Sequence, residues 1–399
     1  MKRQQQLLLL ILAFGVFSIL NTEMGIIGIL PMAAEMYQVD IVQAGLLVSL
    51  FALGVAIAGP TMPLLFSRFN RKCVMLLVLG VFTLCNTLAV FASDFEVLLV
   101  LRVVPAFFHP VYCALAFSVA AASVAPEDAP RAVARINMGV AAGMVVGVPI
   151  SNVLAATFDF SVAMAFFAGV TGLMFLLTMA FVPDLPVAQP MRYGAQLSVL
   201  KRPPVWLAIV AVICLNGSIF GVYNYLADYL QQIAELPGQF IAALLLVYGL
   251  LNIYGSYLGG NLLAKRPRAT VRLFPLCTIA LYCLLFVSGG QLLLLLAALI
   301  VAWGILGGIN ANINQYLLAC VASDAPDFSN GLFLTAANLG CMAGTMLSGF
   351  FIRSLGLPYV VCGGLMMATV ALLLTKFVHC QAEARIGDEH LLLPDGTER

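Results

Sequence analysis

Glu23 stands inside a long apolar stretch, Leu20-Asn21-Thr22-Glu23-Met24-Gly25-Ile26-Ile27-Gly28-Ile29-Leu30. A carboxylate at a bilayer centre costs on the order of 2.5–3.5 kcal/mol even on lenient insertion scales. A chain that carries one usually uses it, to move a proton or to hold a cation. An apolar cavity favours a neutral acid, whereas water or a nearby cation favours the ionised form. A cavity opening first to one side and then to the other would therefore load and release a proton at Glu23. Arg102 is the basic counterpart, set in the apolar stretch Leu98–Ala106. On a helix, Arg102, Ala106, His109 and Tyr112 or Cys113 share one face. Pro105 and Pro110 perturb that alignment. Arg102 would bias a proton step at Glu23 electrostatically if the two side chains meet.

Other polar and aromatic residues fall in apolar stretches and are candidates to line the same cavity. They are Asn21, His109, Tyr112, Asn216, Phe220, Tyr223, Asn224, Tyr248, Asn252, Asn310, Asn314 and Asn338. Asn216, Phe220, Tyr223 and Asn224 have helical spacing, as do Asn310 and Asn314. Amides at several depths fit hydrogen bonding to a polar or amphipathic solute. Hydrogen bonding between helices explains part of the set equally well.

The elements that must position these residues are membrane helices. The chain is 62% hydrophobic and 9% charged, with mean hydropathy +1.05. Soluble domains carry roughly 25% charged residues, and one soluble core could not hide this much apolar surface. Hydropathy marks about twelve spans of roughly 20 residues. Six are expected near Leu7–Leu30, Ile41–Phe66, Val74–Ala92, Val97–Ala122, Ala132–Ala156 and Ser161–Val182. Six more are expected near Val205–Asp228, Phe240–Leu263, Leu273–Gly289, Gln291–Ala319, Gly331–Arg353 and Leu357–His379. Met1-Lys2-Arg3 before a leucine-rich run resembles a signal peptide, but no small-x-small site follows, so an uncleaved first span is expected.

Charge placement supports an even number of spans with both termini in the cytoplasm. Arg68, Arg71, Lys72, Arg131, Arg135, Arg192, Lys201, Arg202, Lys265, Arg266, Arg268 and Arg272 then fall in cytoplasmic connections. The opposite side receives Arg353 and acids such as Glu35, Asp94, Asp159 and Glu235. The polar segment from Pro183 to Pro204 divides the chain. Residues 1–182 form an N-terminal six-helix bundle, 183–204 a cytoplasmic loop, 205–380 a C-terminal six-helix bundle and 381–399 a cytoplasmic tail. The basic connections Arg68–Lys72 and Lys265–Arg272 repeat between the halves, as expected of two bundles related by an axis along the membrane normal. The cysteines make no C-x-x-C pair, so a metal site or disulfide framework is not expected and the thiols are read as reduced.

Four motifs carry a resemblance to a known family. Gly59-Pro60-Thr61-Met62-Pro63-Leu64-Leu65-Phe66-Ser67-Arg68-Phe69-Asn70-Arg71-Lys72 resembles the pattern G-x-x-x-D-R-x-G-R-R/K, matching at Arg68, Arg71 and Lys72. Pro63 replaces its first glycine, Ser67 its aspartate and Asn70 its second glycine; the missing aspartate removes an expected charge lock to a neighbouring helix. Leu98–Ala106 resembles L-x-x-x-R-x-x-Q/P-A/G. The segment from Gly139 through Gly143 and Gly147 to Pro149 resembles a glycine-and-proline antiporter signature, with Ser151 and Asn152 standing where glycines are common. Glu23 with Gly25, Gly28, Leu30 and Pro31 resembles a first-span signature in which an acid precedes G-x-L-P.

Together these motifs resemble the major facilitator superfamily, and most of all its bacterial twelve-span drug:proton antiporter branch, which includes drug, sugar and purine-nucleoside exporters. The resemblance implies an all-α integral membrane protein with about twelve transmembrane helices in two pseudo-symmetric six-helix bundles. It implies proton coupling through Glu23 and Arg102, and conformational roles for Gly59, Arg68, Arg71, Lys72, Gly139, Gly143, Gly147 and Pro149. The glycine signature is tied by the family to the bundle interface. The expected function is proton-coupled efflux of drugs or small amphipathic metabolites across the inner membrane, with a sugar or nucleoside efflux carrier as the alternative. A membrane receptor that binds without transporting is an alternative of another class. No G-x-x-x-x-G-K-S/T phosphate loop and no hydrolytic constellation occurs, so the chain is not expected to be an enzyme. A proton gradient, with no cofactor, is the expected energy source. The expected partners are a small-molecule substrate and the lipid bilayer, without nucleic acid, and the working unit is a monomer. Glu23 lies past the middle of its span, which leaves open whether it faces the cavity or the outer interface.

Overall fold

The computed structural model describes residues 3–39, 41–186, 197–288 and 293–377. The expected loop residues 187–196, with Arg192, and the tail 381–399 lie outside them. So do Gly289, Gln291 and His379 at the edges of three expected spans.

The described residues are helical and contain no strand. The first half comprises α1 (Arg3–Gly25), α2 (Leu30–Tyr37), α3 (Ile41–Ala44), α4 (Leu46–Ala58), α5 (Met62–Phe66), α6 (Arg71–Val90), α7 (Phe95–Ala122), α8 (Ala129–Thr157) and α9 (Phe160–Phe181). The second comprises α10 (Pro203–Tyr223), α11 (Leu226–Gln232), α12 (Gly238–Lys265), α13 (Pro267–Ser288), α14 (Leu293–Val321), α15 (Pro326–Leu355) and α16 (Val360–Thr375).

Among the described residues, 11 helices are long and apolar enough to cross a membrane. The expected second span differs: Ile41–Phe66 is divided into α3, α4 and α5, of which α4 is the apolar helix of intermediate length. Gly59 is still helical, but Pro60 lacks the amide donor for the next helical bond, so the chain breaks between α4 and α5. The first and seventh spans also depart from single rods. α1 ends at Gly25 and passes through a 3-10 turn, Ile26–Ile29, into α2. α10 ends at Tyr223, and α11 follows after a short turn.

That shared break is one sign of the two-fold repeat, and helix pairing is another. α1 packs on α8 as α10 packs on α15; α4 on α7 as α12 on α14; α6 on α9 as α13 on α16. The halves meet chiefly where α8 packs on α12 and α7 on α15. Large apolar side chains point outward on many helices, among them Leu84, Phe91, Leu294, Met346 and Phe350. Such coverage suits lipid rather than water. Among the described residues eight cysteines are free thiols and Cys320 is disulfide-bonded, which departs from the reduced reading.

Candidate functional site

Glu23 and His109 meet inside the first half. Glu23 Oε2 lies 3.0 Å from His109 Nε2, an ion-pair distance, and the two side chains are 16% and 6% exposed. The imidazole N–H is not aligned on the carboxylate as a hydrogen bond. His109 occupies the middle of α7, about 20 Å from either helix end at 1.5 Å per residue. The carboxylate is therefore held at mid-depth against α7 and away from the outer interface. Cys113, one turn along α7, lies 3.9 Å from the same imidazole nitrogen, and Phe51 of α4 packs edge-on against the ring at 6.1 Å. α7 runs unbroken through Pro105 and Pro110, so the face expected for Arg102, His109 and Cys113 is real.

Arg102 is 2% exposed and does not pair with the Glu23 carboxylate. Its guanidinium donates to the backbone carbonyls of Thr22 at 2.7 Å and Glu23 at 3.3 Å. It also lies 5.1 Å from the centre of the Phe51 ring, a cation–π distance. The physical reason lies in α1. The last turn of an α-helix leaves carbonyls without intrahelical donors, and cations are stabilised there. Thr22 and Glu23 lie in the last turn of α1, which gives way to the 3-10 turn after Gly25, so Arg102 clasps its end. Ser151 of α8 completes the clasp, donating to the carbonyl of Gly25 at 2.7 Å. Asn86 donates to Thr22 Oγ1 at 3.2 Å. Sequence reasoning singled out Arg102 but missed Ser151 and Asn86; a hydroxyl where glycines are common was the available signal for Ser151.

Asn21 and Tyr112 lie near this centre and face other helices. Asn21 abuts Gly147 of α8, and neither of its side-chain polar atoms has a hydrogen-bond partner. The Tyr112 hydroxyl fits over Gly15 of α1.

A second cluster forms in the other half. Asn216 donates to the carbonyl of Ala337 at 2.6 Å. That fixes its amide orientation, because a carbonyl only accepts. Its Oδ1 then accepts from Asn310 at 3.1 Å and from Asn314 at 3.2 Å. Both partners keep a buried Oδ1 with no donor. An aromatic group continues the strip: Tyr223 stacks on Tyr248 at 4.5 Å, and Phe220 and Trp303 meet Tyr223 edge-on. A Cβ on Gly307 would stand 2.6 Å from Asn252 Nδ2 and 2.9 Å from the Tyr248 hydroxyl, so these two side chains converge on α14. Trp303, Gly307, Asn310 and Asn314 thus share one face of α14. The sequence reading did not include Trp303, whose indole N–H is also unpartnered.

Two expected residues stand apart. Asn224, just past α10, keeps the helical register, with its N–H on the Phe220 carbonyl, but its side chain is exposed and donates to Thr345 Oγ1 at 2.8 Å. Asn338 is exposed and bonds the Leu334 carbonyl of its own helix.

The motif residues act at helix contacts. Gly139, Gly143 and Gly147 face α1, where a Cβ would meet the Ala13 carbonyl, Leu20 and Asn21 in turn. The stripe therefore packs on α1 of its own half, and Gly139 also borders the seam with α12. The glycines that admit α8 to the other half lie on α12: Gly249 faces Val145, and Gly260 faces Ala134. Pro149 is exposed within α8.

Gly59 packs against Thr335 and Gly331 of α15. Asn70, at a position where the motif has glycine, caps α6 by accepting from Lys72 N at 3.0 Å. The charge lock missing from the motif is supplied from the other half. Asp327 of α15 lies 3.5 Å from Arg71 and accepts from Ser118 of α7 at 2.5 Å. Asn137 donates to Asn312 at 3.2 Å, and Asn330 donates to the Ala114 carbonyl at 3.4 Å. Arg131 donates to Asn261 at 3.1 Å. All of these bonds join the halves toward the end that carries the basic connections.

Comparisons with known proteins agree with this architecture. The inner membrane transport protein YdhP of Escherichia coli (strain K12) is 30% identical over 369 residues, 92% of this chain and 94% of its own. A protein named "Probable sugar efflux transporter" from Helicobacter pylori (strain P12) is 25% identical over 369 residues, with the same coverage. Among solved structures, the transporter FucP in its outward conformation matches with a TM-score of 0.77 at 17% identity, covering 94% of this chain and all of FucP. The human organic anion transporter MFSD10 matches with a TM-score of 0.73 at 14% identity, covering 95% of this chain and all of MFSD10. The profile of the Major Facilitator Superfamily matches residues 12–345. A repeated six-helix half, buried polar clusters facing inward and a match along most of the chain lead to one conclusion: this protein is a membrane transporter, not an enzyme, and it belongs to the major facilitator superfamily.

Proposed function

We propose that this protein is a proton-coupled exporter of drugs or small amphipathic metabolites, working by alternating access, with Glu23 and His109 as its proton site. The observation that carries this reading is the 3.0 Å contact between the two side chains at mid-depth. A carboxylate and an imidazole at that distance hold one proton as an ion pair, or two as a neutral acid beside a cation. Substrate arriving from the cytoplasm promotes proton release, and reprotonation from outside resets the carrier. Arg102 gives the proton a mechanical output. It grips the carbonyl of Glu23 itself, so a change of charge on that side chain acts at the junction of α1 and its 3-10 turn. The same reading has both termini in the cytoplasm, a single chain as the working unit and the proton gradient in place of a cofactor.

Two observations favour a second reading of the substrate, a sugar. One relative carries a sugar-efflux name. The amide corner of Asn216, Asn310 and Asn314 has unspent acceptors beside aromatic rings, a combination that suits a solute rich in hydroxyls. The receptor alternative draws no support from relatives named as transport proteins.

Proteoliposomes with an imposed pH gradient test the proposal, with a lipophilic cationic dye and a panel of pentoses and hexoses as probes. Glu23→Gln is expected to lose gradient-driven efflux while retaining substrate exchange at equal pH. Undiminished gradient-driven efflux by this variant removes Glu23 from the coupling role.

A further inference from the structure

We propose that the seam between α1, α8 and α12 binds one anionic phospholipid from the leaflet at the basic end, with its phosphate on Arg135 and an acyl chain in the groove. The groove measures about 460 Å³, and its walls come from both halves of the molecule. Its polar groups gather at one end. Gln6 lies in the first turn of α1, Arg135 in the second turn of α8 and Tyr257 near the end of α12. At 1.5 Å per residue all three fall within about 12 Å of the basic ends of their helices, the depth of a lipid headgroup. Those ends are joined there, since Arg131 of α8 bonds Asn261 of α12. Toward the midplane the walls turn apolar, with Phe14, Ala142 and Ile253. Phe14 is 50% exposed, so the groove opens sideways to the bilayer.

The charge on this groove is unspent. Arg135 is exposed and makes no hydrogen bond or ion pair among the described residues. Its neighbours at the same end are engaged: Arg131 with Asp128, Arg71 with Asp327 and Arg202 with Asp324. A guanidinium binds phosphate oxygens through two parallel N–H donors, and cytoplasmic-leaflet anionic lipids are drawn to such cations. Gln6 and the Tyr257 hydroxyl stand ready to donate to the same headgroup. A free guanidinium above an apolar slot has the layout of a phosphodiester above an acyl chain. Because the slot borders α12 as well as α1 and α8, the bound lipid bridges the two halves.

Native mass spectrometry of the purified transporter, titrated with palmitoyl-oleoyl phosphatidylglycerol or phosphatidylcholine, tests the proposal. The wild-type protein is expected to retain one phosphatidylglycerol about tenfold more tightly than phosphatidylcholine, the scale of one charge-assisted contact. Arg135→Gln abolishes that preference, whereas Arg131→Gln, which alters an arginine already engaged, keeps it. Ala142→Phe, which narrows the slot with Arg135 intact, lowers retention of the anionic lipid. Equal retention of the two lipids by the wild type overturns the site. Equal losses in Arg135→Gln and Arg131→Gln also overturn it, because attraction would then belong to the basic face at large. Unchanged retention in Ala142→Phe overturns the placement of the acyl chain.

Discussion

Arg102 spends its charge on the backbone of α1, and this changes what a conservative substitution should do. Lysine keeps the charge but presents a point donor in place of a planar fork, so it cannot span the carbonyls of Thr22 and Glu23 together. Arg102→Lys is expected to slow gradient-driven efflux by about tenfold, the scale of one charged hydrogen bond, while leaving equilibrium substrate binding in place. Parallel flux and binding measurements check this, and full flux in the variant would refute the clasp. Glu23 and Arg102 were legible as residues because charge in an apolar run is conspicuous. Their actual partners were not. His109 is distant in sequence, and backbone carbonyls leave no signature in side-chain identity. Asn310 and Asn314 were legible as a pair by spacing, but Trp303, being apolar in bulk, looked like ordinary core.

At the scale of helices, close approach separates glycines that look alike in the sequence. A Cβ on Gly139 would collide with the carbonyl of Ala13, whereas nothing lies within 4 Å of one on Gly169 in α9. Gly139→Ala is therefore expected to destabilise the protein by about 1–3 kcal/mol through overpacking. Gly169→Ala is expected to be neutral or to stabilise by up to about 1 kcal/mol through helix propensity. Thermal unfolding in detergent distinguishes the two. A second test concerns the start of α10, where Arg202 holds Asp324 through two hydrogen bonds at 3.0 and 2.7 Å. Hydrogen bonding from Arg202 lowers the Asp324 pKa. The pair's contribution is thus present at neutral pH and is lost as pH falls through the lowered value, below about 4. Both groups are partly exposed, so Asp324→Asn should cost less than about 1 kcal/mol at pH 7 and less again at pH 3. Unfolding curves at the two pH values read this out. Hydropathy located the long helices well. It missed the breaks after Gly25, Gly59 and Tyr223, because a 3-10 turn or a short interruption leaves an apolar run apolar.

The whole molecule is held closed at its basic end by bonds between halves. The Arg71–Asp327–Ser118 group is the charged member of that set. Asp327→Asn keeps the side-chain shape and removes the charge. It is expected to shift the balance toward separation of the halves at this end by about tenfold, on the scale of a charged hydrogen bond. Distances between spin labels placed on α7 and α15 measure the shift, and an unchanged distribution would show that the pair carries no weight. The two-half plan was legible because a basic connection recurs at Arg68–Lys72 and Lys265–Arg272 and a polar midpoint divides the chain. The lock was not, because its acid sits far along the chain from the motif it serves. That location has a consequence for inheritance. With Ser67 where the motif has its acid, the first half owns the base and the second half owns the acid. Neither half can be traded alone. A chimera that joins this first half to a second half without an acid at the place of Asp327 has no acid to lock with. The reciprocal chimera, built on a first half that keeps its own aspartate, sets two carboxylates against one arginine. The two halves are bound to change together.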